Sequence, residues 1–274
     1  MILFPNCKIN IGLDILSQRP DGYHELATAM VPVDWCDVLE IVPANGHKGA
    51  RLHVSGRAVD CPPEKNLVMK AYNRFTEAAG PMDVDIYLRK IIPDGAGLGG
   101  GSSDAAYTLR GLNSMAGAPL DTAELEHIAG LIGADCPFFI KSQPVLATGT
   151  GTQLTPIELP QIKGCHAVIV KPPHSVSTAE AYSMVECAVP QVNLATLLAM
   201  PMEEWKGRIK NDFEPSVAHR LPEIETLKDT FYEAGAVYSA MSGSGSAVFG
   251  IFTADTVSVD IALPPEYVVW QGRL

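Results

Sequence analysis

The chain has 274 residues, 47% of them apolar and 19% charged, with a formal net charge of −11. That length allows one large domain or two modest ones, and the acidic balance excludes a surface built for nucleic acid or an anionic membrane. No apolar run reaches the ~20 residues that span a bilayer. The opening Met1-Ile2-Leu3-Phe4-Pro5-Asn6-Cys7-Lys8 is too short and too soon broken for a signal peptide. Six scattered cysteines without a C-x-x-C pair predict reduced thiols in a cytoplasmic protein, and no zinc site.

Taken in chain order, residues 9–16 alternate apolar with polar or small residues, the pattern of a half-buried strand. Lys8 and Asn10, two apart, share one face of it. A lysine on a strand usually faces solvent or guards an edge. Arg19-Pro20-Asp21-Gly22 reads as a hairpin turn. Tyr23 and His24, which follow it, would equally offer a stacking face and hydrogen bonds to a base or sugar. Further strands are predicted at 38–42, 52–54 and 84–88. Between them, Asn66 to Ala79 carries Leu67, Val68, Ala71, Tyr72 and Phe75 at helical spacing and closes on Gly80-Pro81.

Next comes Pro93-Asp94-Gly95-Ala96-Gly97-Leu98-Gly99-Gly100-Gly101-Ser102-Ser103-Asp104, with five glycines in seven residues. Such a backbone reaches positive φ and approaches a ligand closely. Two serines and an aspartate then mark a helix start, predicted to run to about Met115. A glycine loop feeding a helix N-terminus presents unpaired N–H groups and a positive dipole end, which suits phosphate. The loop lacks the Lys-Ser/Thr ending of common NTPases. Gly95, Gly97 and Gly100 do spell G-x-G-x-x-G, a dinucleotide alternative. That pattern wants an acid closing a second strand, whereas Asp121 opens a helix with Glu124 as its reciprocal cap partner. A nucleoside triphosphate is therefore the better-fitting ligand.

Gly133-Ala134-Asp135-Cys136-Pro137-Phe138-Phe139 sets one acid among small and apolar residues. Asp135 is either a capping aspartate or a carboxylate poised as a base. Gly149-Thr150-Gly151 and the prolines at 156–160 suggest a boundary near residue 155. Beyond it lie a buried strand at 167–170, helices at about 178–187 and 222–234, and a strand at 236–240. A Gly/Ser turn over 241–247 and a strand at 248–252 complete the pattern. Strands and helices without strict alternation give an α+β class with two domains, 1–155 and 156–274.

Segments 5–10, 93–103 and 241–247 together resemble the three motifs of the GHMP kinases, ATP-dependent kinases of small molecules. Those motifs are a lysine-bearing first strand, a P-x-x-x-G-L-G-S/G-S-S loop and a C-terminal glycine-rich turn. Arg19 to Leu26, the triple glycine before Ser102-Ser103, the segment around Asp135, and Asn211-Asp212-Phe213-Glu214 are similar to one branch of that family. That branch phosphorylates the 2-hydroxyl of 4-diphosphocytidyl-2-C-methyl-D-erythritol in non-mevalonate isoprenoid precursor synthesis. Homoserine, mevalonate or a sugar would be the acceptor of another branch, and a non-catalytic nucleotide-binding relative is a further alternative.

The resemblance implies a ribosomal S5 domain 2-like N-terminal lobe and a ferredoxin-like C-terminal lobe. It implies Lys8 and Asp135 as catalytic residues. It implies an ATP site formed by Pro93, Asp94, Gly95, Ala96, Gly97, Leu98, Gly99, Gly100, Gly101, Ser102 and Ser103, with Asn66 near the adenine. It implies a substrate site of Asn10, Tyr23, His24, Thr178 and Tyr182. Mg²⁺ is expected with ATP; no residue is assigned as a resident metal ligand, though Ser103 at the loop–helix junction is a candidate. Cys7 and Asp94 depart from the family pattern, and Asp94 is expected to point to solvent. No nucleic-acid or membrane partner is expected.

Overall fold

The computed structural model describes residues 1–58, 61–62 and 65–274. In chain order the elements begin with β1 (Ile2–Leu3), β2 (Asn6–Gln18), β3 (His24–Cys36), β4 (Val38–Pro43) and β5 (Ala50–Gly56). Then follow α1 (Leu67–Ala79), β6 (Val84–Lys90), α2 (Gly100–Met115), α3 (Thr122–Gly130) and α4 (Phe138–Lys141). β7 (Val145–Thr148), β8 (Gln153–Pro156), β9 (His166–Lys171), α5 (Thr178–Ser183) and α6 (Leu194–Leu198) come next. The chain ends with α7 (Glu214–Arg220), α8 (Glu223–Glu233), β10 (Tyr238–Met241), β11 (Val248–Phe252) and β12 (Val268–Arg273). Two compact units result. One comprises Met1–Cys7, Trp35–Asp94 and Gly99–Gln143; the other comprises Lys8–Asp34, Gly95–Leu98 and Pro144–Leu274.

In the first unit, β1, β4, β6 and β5 form a sheet in that order, antiparallel except for the parallel pair β5 and β6. Leu39 faces Leu88 and Ile41 faces Ile86 across β4 and β6, and all four are buried. α1 packs against α2. Its buried stripe of Val68, Ala71, Tyr72 and Phe75 is the one its spacing predicts. Each fully buried large side chain there contributes about 1.5–3 kcal/mol. Asn66 caps α1, its Oδ1 accepting the Val68 amide at 3.0 Å.

The helix starts differ in their chemistry. α3 has the reciprocal box its sequence predicts: Asp121 Oδ1 accepts the Glu124 amide at 2.9 Å, and Glu124 Oε2 accepts the Asp121 amide at 2.7 Å. α2 does not use the serines or Asp104 as caps. Its N-cap is Gly99, at φ +71° and with no side-chain cap, so no capping side chain satisfies the first-turn amides. α5 is shorter than its predicted span to 187. The amides of Met184 and Val185 bond three residues back, and Ser183 Oγ donates to the Glu180 carbonyl, which tightens and ends the helix.

The second unit holds two four-stranded sheets, β2-β3-β7-β8 and β10-β11-β9-β12. Counted along the chain, β9 to β12 lie in the order second, third, first, fourth, all pairs antiparallel. That is the ferredoxin-like order the resemblance implies. α8 lies in the first crossover, and the second crossover, residues 253–267, has no helix. Leu13, Ile15, Val168, Phe213, Phe231 and Val248 belong to one apolar cluster of this unit.

Candidate active site

Three of the sequence motifs meet within the second unit. Lys8 and Asn10 share one face of β2, but that face is buried, the two residues being 4% and 2% exposed. Lys8 is therefore not the solvated strand lysine that residue type alone suggests. Its Nζ donates to Asn10 Oδ1 and, at 2.9 Å, to the Gly97 carbonyl. Asn10 Nδ2 donates to Thr28 Oγ1 at 3.0 Å, and Thr28 Oγ1 donates to the Gly12 carbonyl at 2.6 Å, fixing the orientation of Asn10.

The glycine-loop residues Gly95–Leu98 run between the start of β2 and the turn after β10. The Lys8 amide donates to Leu98 O at 2.9 Å, and the Ala247 amide donates to Ala96 O at 3.1 Å. Ser242 Oγ accepts from the Asn10 amide at 3.2 Å and donates to Gly97 O at 2.9 Å. Gly97 is obligatory here: at φ +73°, a Cβ would lie 1.9 Å from Ser242 O.

The turn after β10 is held by Asn211, in the segment before α7, and by Glu214, the first residue of α7. Asn211 Nδ2 donates to the carbonyls of Met241 and Gly243, both at 2.8 Å. Glu214 Oε1 accepts the Met241 amide at 2.7 Å, while Lys228 Nζ donates to Glu214 Oε2 at 2.6 Å. Burial raises the Glu214 carboxyl, with Lys228 opposing it. Sequence reasoning gave Asn211 and Glu214 no task. The signal available was that Asn211-Asp212-Phe213-Glu214 resembles one branch of the family, without a role for either residue.

The segment 19–24 is a hairpin turn between β2 and β3. The Arg19 amide donates to Tyr23 O at 2.7 Å, and the Tyr23 amide donates to Asp21 Oδ1 at 3.1 Å. It leaves Tyr23 68% exposed. His24 stacks on Tyr182, with ring centroids 4.8 Å apart and planes at 26°, and Tyr182 in turn meets Phe213 edge-on at 4.8 Å. Thr178, the first residue of α5, has its Oγ1 3.1 Å from Ser244 Oγ. Asn10, His24, Thr178 and Tyr182 thus lie in the same unit as Lys8 and Gly97.

Pro93, Asp94, Gly99, Gly100, Gly101, Ser102, Ser103, Asn66 and Asp135 belong to the first unit. Asp94 is exposed and Pro93 buried. Asp135 sits in the turn between α3 and α4; it caps neither, since the N-cap of α4 is Pro137. Its neighbour Cys136 shares a hydrogen bond with Ser102, tying this turn to the serine that follows the glycines. Burial pushes the Cys136 thiol up to about 11. Ser103 Oγ is buried with no hydrogen-bond partner. Among the described residues no group of three or more His, Cys, Asp or Glu could hold a metal ion.

Family models match residues 66–143 as the GHMP kinases N terminal domain and 194–261 as the GHMP kinases C terminal domain. The 4-diphosphocytidyl-2-C-methyl-D-erythritol kinase of Parabacteroides distasonis is 49% identical over 274 residues, covering 100% of both chains. A crystal structure of 4-(cytidine 5'-diphospho)-2C-methyl-D-erythritol kinase superposes with a TM-score of 0.76 at 34% identity, covering 92% of this chain and 90% of that one. Homoserine kinase from Cytophaga hutchinsonii shares the fold at a TM-score of 0.67 and 19% identity, over 98% of this chain and 94% of that one. The chain belongs to the GHMP kinases, and within them to the 4-diphosphocytidyl-2-C-methyl-D-erythritol kinase family.

Proposed function

We propose that this kinase transfers the γ-phosphoryl group of ATP to the 2-hydroxyl of 4-diphosphocytidyl-2-C-methyl-D-erythritol. The observation that carries the reading is the hydrogen-bonded patch of Lys8, Asn10, Gly97 and Ser242, in which the three family motifs meet. Phosphoryl transfer asks a protein mainly for positioning and for charge stabilisation. Lys8 supplies a cation beside the glycine loop and stabilises the attacking oxygen and the γ-phosphate. Asp135 accepts the hydroxyl proton. Residues 93–103 cradle the phosphates with backbone N–H groups, and Asn66 lies towards the adenine while its oxygen caps α1.

Tyr23, His24 and Tyr182 form the platform for the cytosine, with Asn10 and Thr178 as polar contacts to the substrate. The 49% identity to the Parabacteroides distasonis kinase supports this acceptor over homoserine, for which the likeness at 19% speaks to fold alone. A Mg²⁺ ion bound with the nucleotide would neutralise phosphate charge. The orphaned Ser103 hydroxyl would fit a place in its shell. Residues 1–155 and 156–274 are assigned as the two lobes, the matched segments falling on either side of that boundary. The net charge of −11 suits a cytoplasmic enzyme of a small metabolite, and no helix among the described residues is long and apolar enough to cross a membrane.

ADP release is the deciding assay, with Mg-ATP and the cytidyl alcohol set beside homoserine, mevalonate and galactose. Turnover with the cytidyl alcohol alone is expected. Turnover with another acceptor would overturn the assignment of Tyr23 and His24, and ATP binding without any turnover would indicate a non-catalytic relative. In the same assay Asp135→Ala is expected to lower kcat roughly a hundred- to ten-thousand-fold with ATP affinity retained. An unchanged kcat would remove Asp135 from the role of base.

A further inference from the structure

A second buried lysine lies in the first unit, and the family motifs do not include it. Lys90, the last residue of β6, is 5% exposed, and its Nζ donates to two buried carboxylates. One is Asp104 Oδ2 at 2.6 Å; the other is Asp37 Oδ2. Asp37, wholly buried between β3 and β4, uses its other oxygen to accept the amides of Ile91 and Ile92, the latter at 2.9 Å. Those two residues lead directly into Pro93. Asp104 stands in the opening turns of α2, directly after Ser102 and Ser103.

One cluster of charge therefore grips the chain on both sides of the glycine loop. Asp37 fixes the two peptides before the loop, and Lys90 reaches across to the helix after it. Gly100 lies close against the cluster, a Cβ there falling 3.1 Å from Ile92 Cγ2 and 3.4 Å from Lys90 Nζ. The glycines between have no side chains with which to fix themselves; Lys8, Ser242 and Ala247 hold the carbonyls of Ala96, Gly97 and Leu98, and the charge cluster holds the two ends. The cluster is also unbalanced: two carboxylates face one ammonium, and Asp104 Oδ1 is buried with no hydrogen-bond partner. For stability alone, an apolar filling would serve as well as a buried lysine with two carboxyl groups.

The geometry points to Lys90, with Asp37 and Asp104, as the positioning residue of the phosphate loop, setting where the γ-phosphate is held without touching it. The inference rests on the reading of residues 93–103 as the ATP loop. A displacement of about 1 Å at a reacting centre costs on the order of a hundredfold in rate, and the cytidyl site, carried by residues of the other unit, has no part in the cluster.

The test uses the full chain and the variants Lys90→Met and Asp104→Asn. Asp104→Asn keeps the side chain's shape and removes one charge, so it remains informative where Lys90→Met fails to fold. The readouts are kcat, KM for ATP, KM for the cytidyl alcohol, and direct binding of a non-hydrolysable ATP analogue. For folded variants the expected result is kcat lower by about tenfold to a hundredfold and weaker binding of the analogue, with KM for the cytidyl alcohol within about twofold of wild type. A lowered Tm with unchanged kcat and unchanged nucleotide binding would overturn the assignment and leave the cluster purely structural. Equal losses for both substrates would overturn it too. Failure of the wild-type chain to bind the ATP analogue would instead strike the reading of the loop itself, before any variant is compared.

Discussion

Two glycine-rich turns in this protein are tied down by the same device in different surroundings. Below the loop that begins at Pro93, Asp37 accepts two backbone amides and Lys90 neutralises it; below the turn at 242–246, Glu214 accepts the Met241 amide and Lys228 neutralises it. In the first cluster every side chain is nearly closed to water, at 5%, 0% and 3% exposure for Lys90, Asp37 and Asp104. In the second, Lys228 and Glu214 are 17% and 11% exposed, and Lys228 reaches a second partner, Glu225, that is 54% exposed. A glycine turn gains its shape from φ freedom and must borrow its rigidity from a neighbour. How dry the neighbour is decides how costly its loss will be.

The contrast can be broken first by Asp37→Ala. Removing one partner of a buried charge cluster and orphaning two amides is expected to cost about 3–5 kcal/mol in a urea titration. Glu214→Ala orphans one amide and leaves Lys228 its second carboxylate, so a loss of roughly 1–3 kcal/mol is expected. Equal losses, or the reverse order, would show that exposure does not separate the two devices.

Acid titration sharpens the comparison further. Burial pushes the Asp104 carboxyl from 3.8 up to about 7; Lys90 pulls it down and Asp37 pushes it up again. Between about pH 4 and 7 the folded chain thus holds a proton there that the unfolded chain has released, and stability falls as pH rises through that window. Asp14 in the second unit, raised to about 6 by burial and then by Asp212, acts with the same sign but is spent by about pH 6. Asp21, Asp83, Asp85 and Asp255 are shifted downward, so their opposite contribution falls below about pH 4. Chemical denaturation of Asp104→Asn at a series of pH values should lose the slope between 6 and 7 and weaken the slope below 6, where the share of Asp14 remains. A slope that survives there would mean the proton sits elsewhere.

The smallest effect expected is that of salt. At 1 M ionic strength the screening length is about 3 Å, which reaches the part-exposed Lys228 and Glu225 but not the closed cluster. The destabilisation caused by Lys228→Met should shrink by a few tenths of a kcal/mol between low and high salt. That caused by Lys90→Met should stay constant. A matching salt response in both would place water in the first cluster.

These clusters also mark the limit of what could be read from the chain. The stripe of α1, the box at Asp121 and Glu124, and the glycine loop are local patterns, and local chemistry alone makes them legible. β3 escaped notice because it lies between β2 and β7 with both faces largely covered, so Ala29 to Val31 form a continuous buried run without period-two alternation. Lys8 and Asn10 were visible as residues on one face, but their burial depends on Gly97 and Ser242, 89 and 232 positions away along the bonds that join them. Nothing in the local sequence sets Lys90 apart. Its partners stand 53 and 14 residues away, and no periodicity relates them. Glu214 likewise gains its meaning only from Met241, 27 residues on.

Cys136 carries a consequence for covalent chemistry. It adjoins Asp135, yet its sulfur is shut from solvent and holds its proton far above neutral pH. Electrophiles and oxidants attack thiolates they can reach, so the exposed Cys187 meets them first. An inhibitor warhead or an oxidant aimed at the thiol beside Asp135 would find a poor nucleophile, closed to solvent.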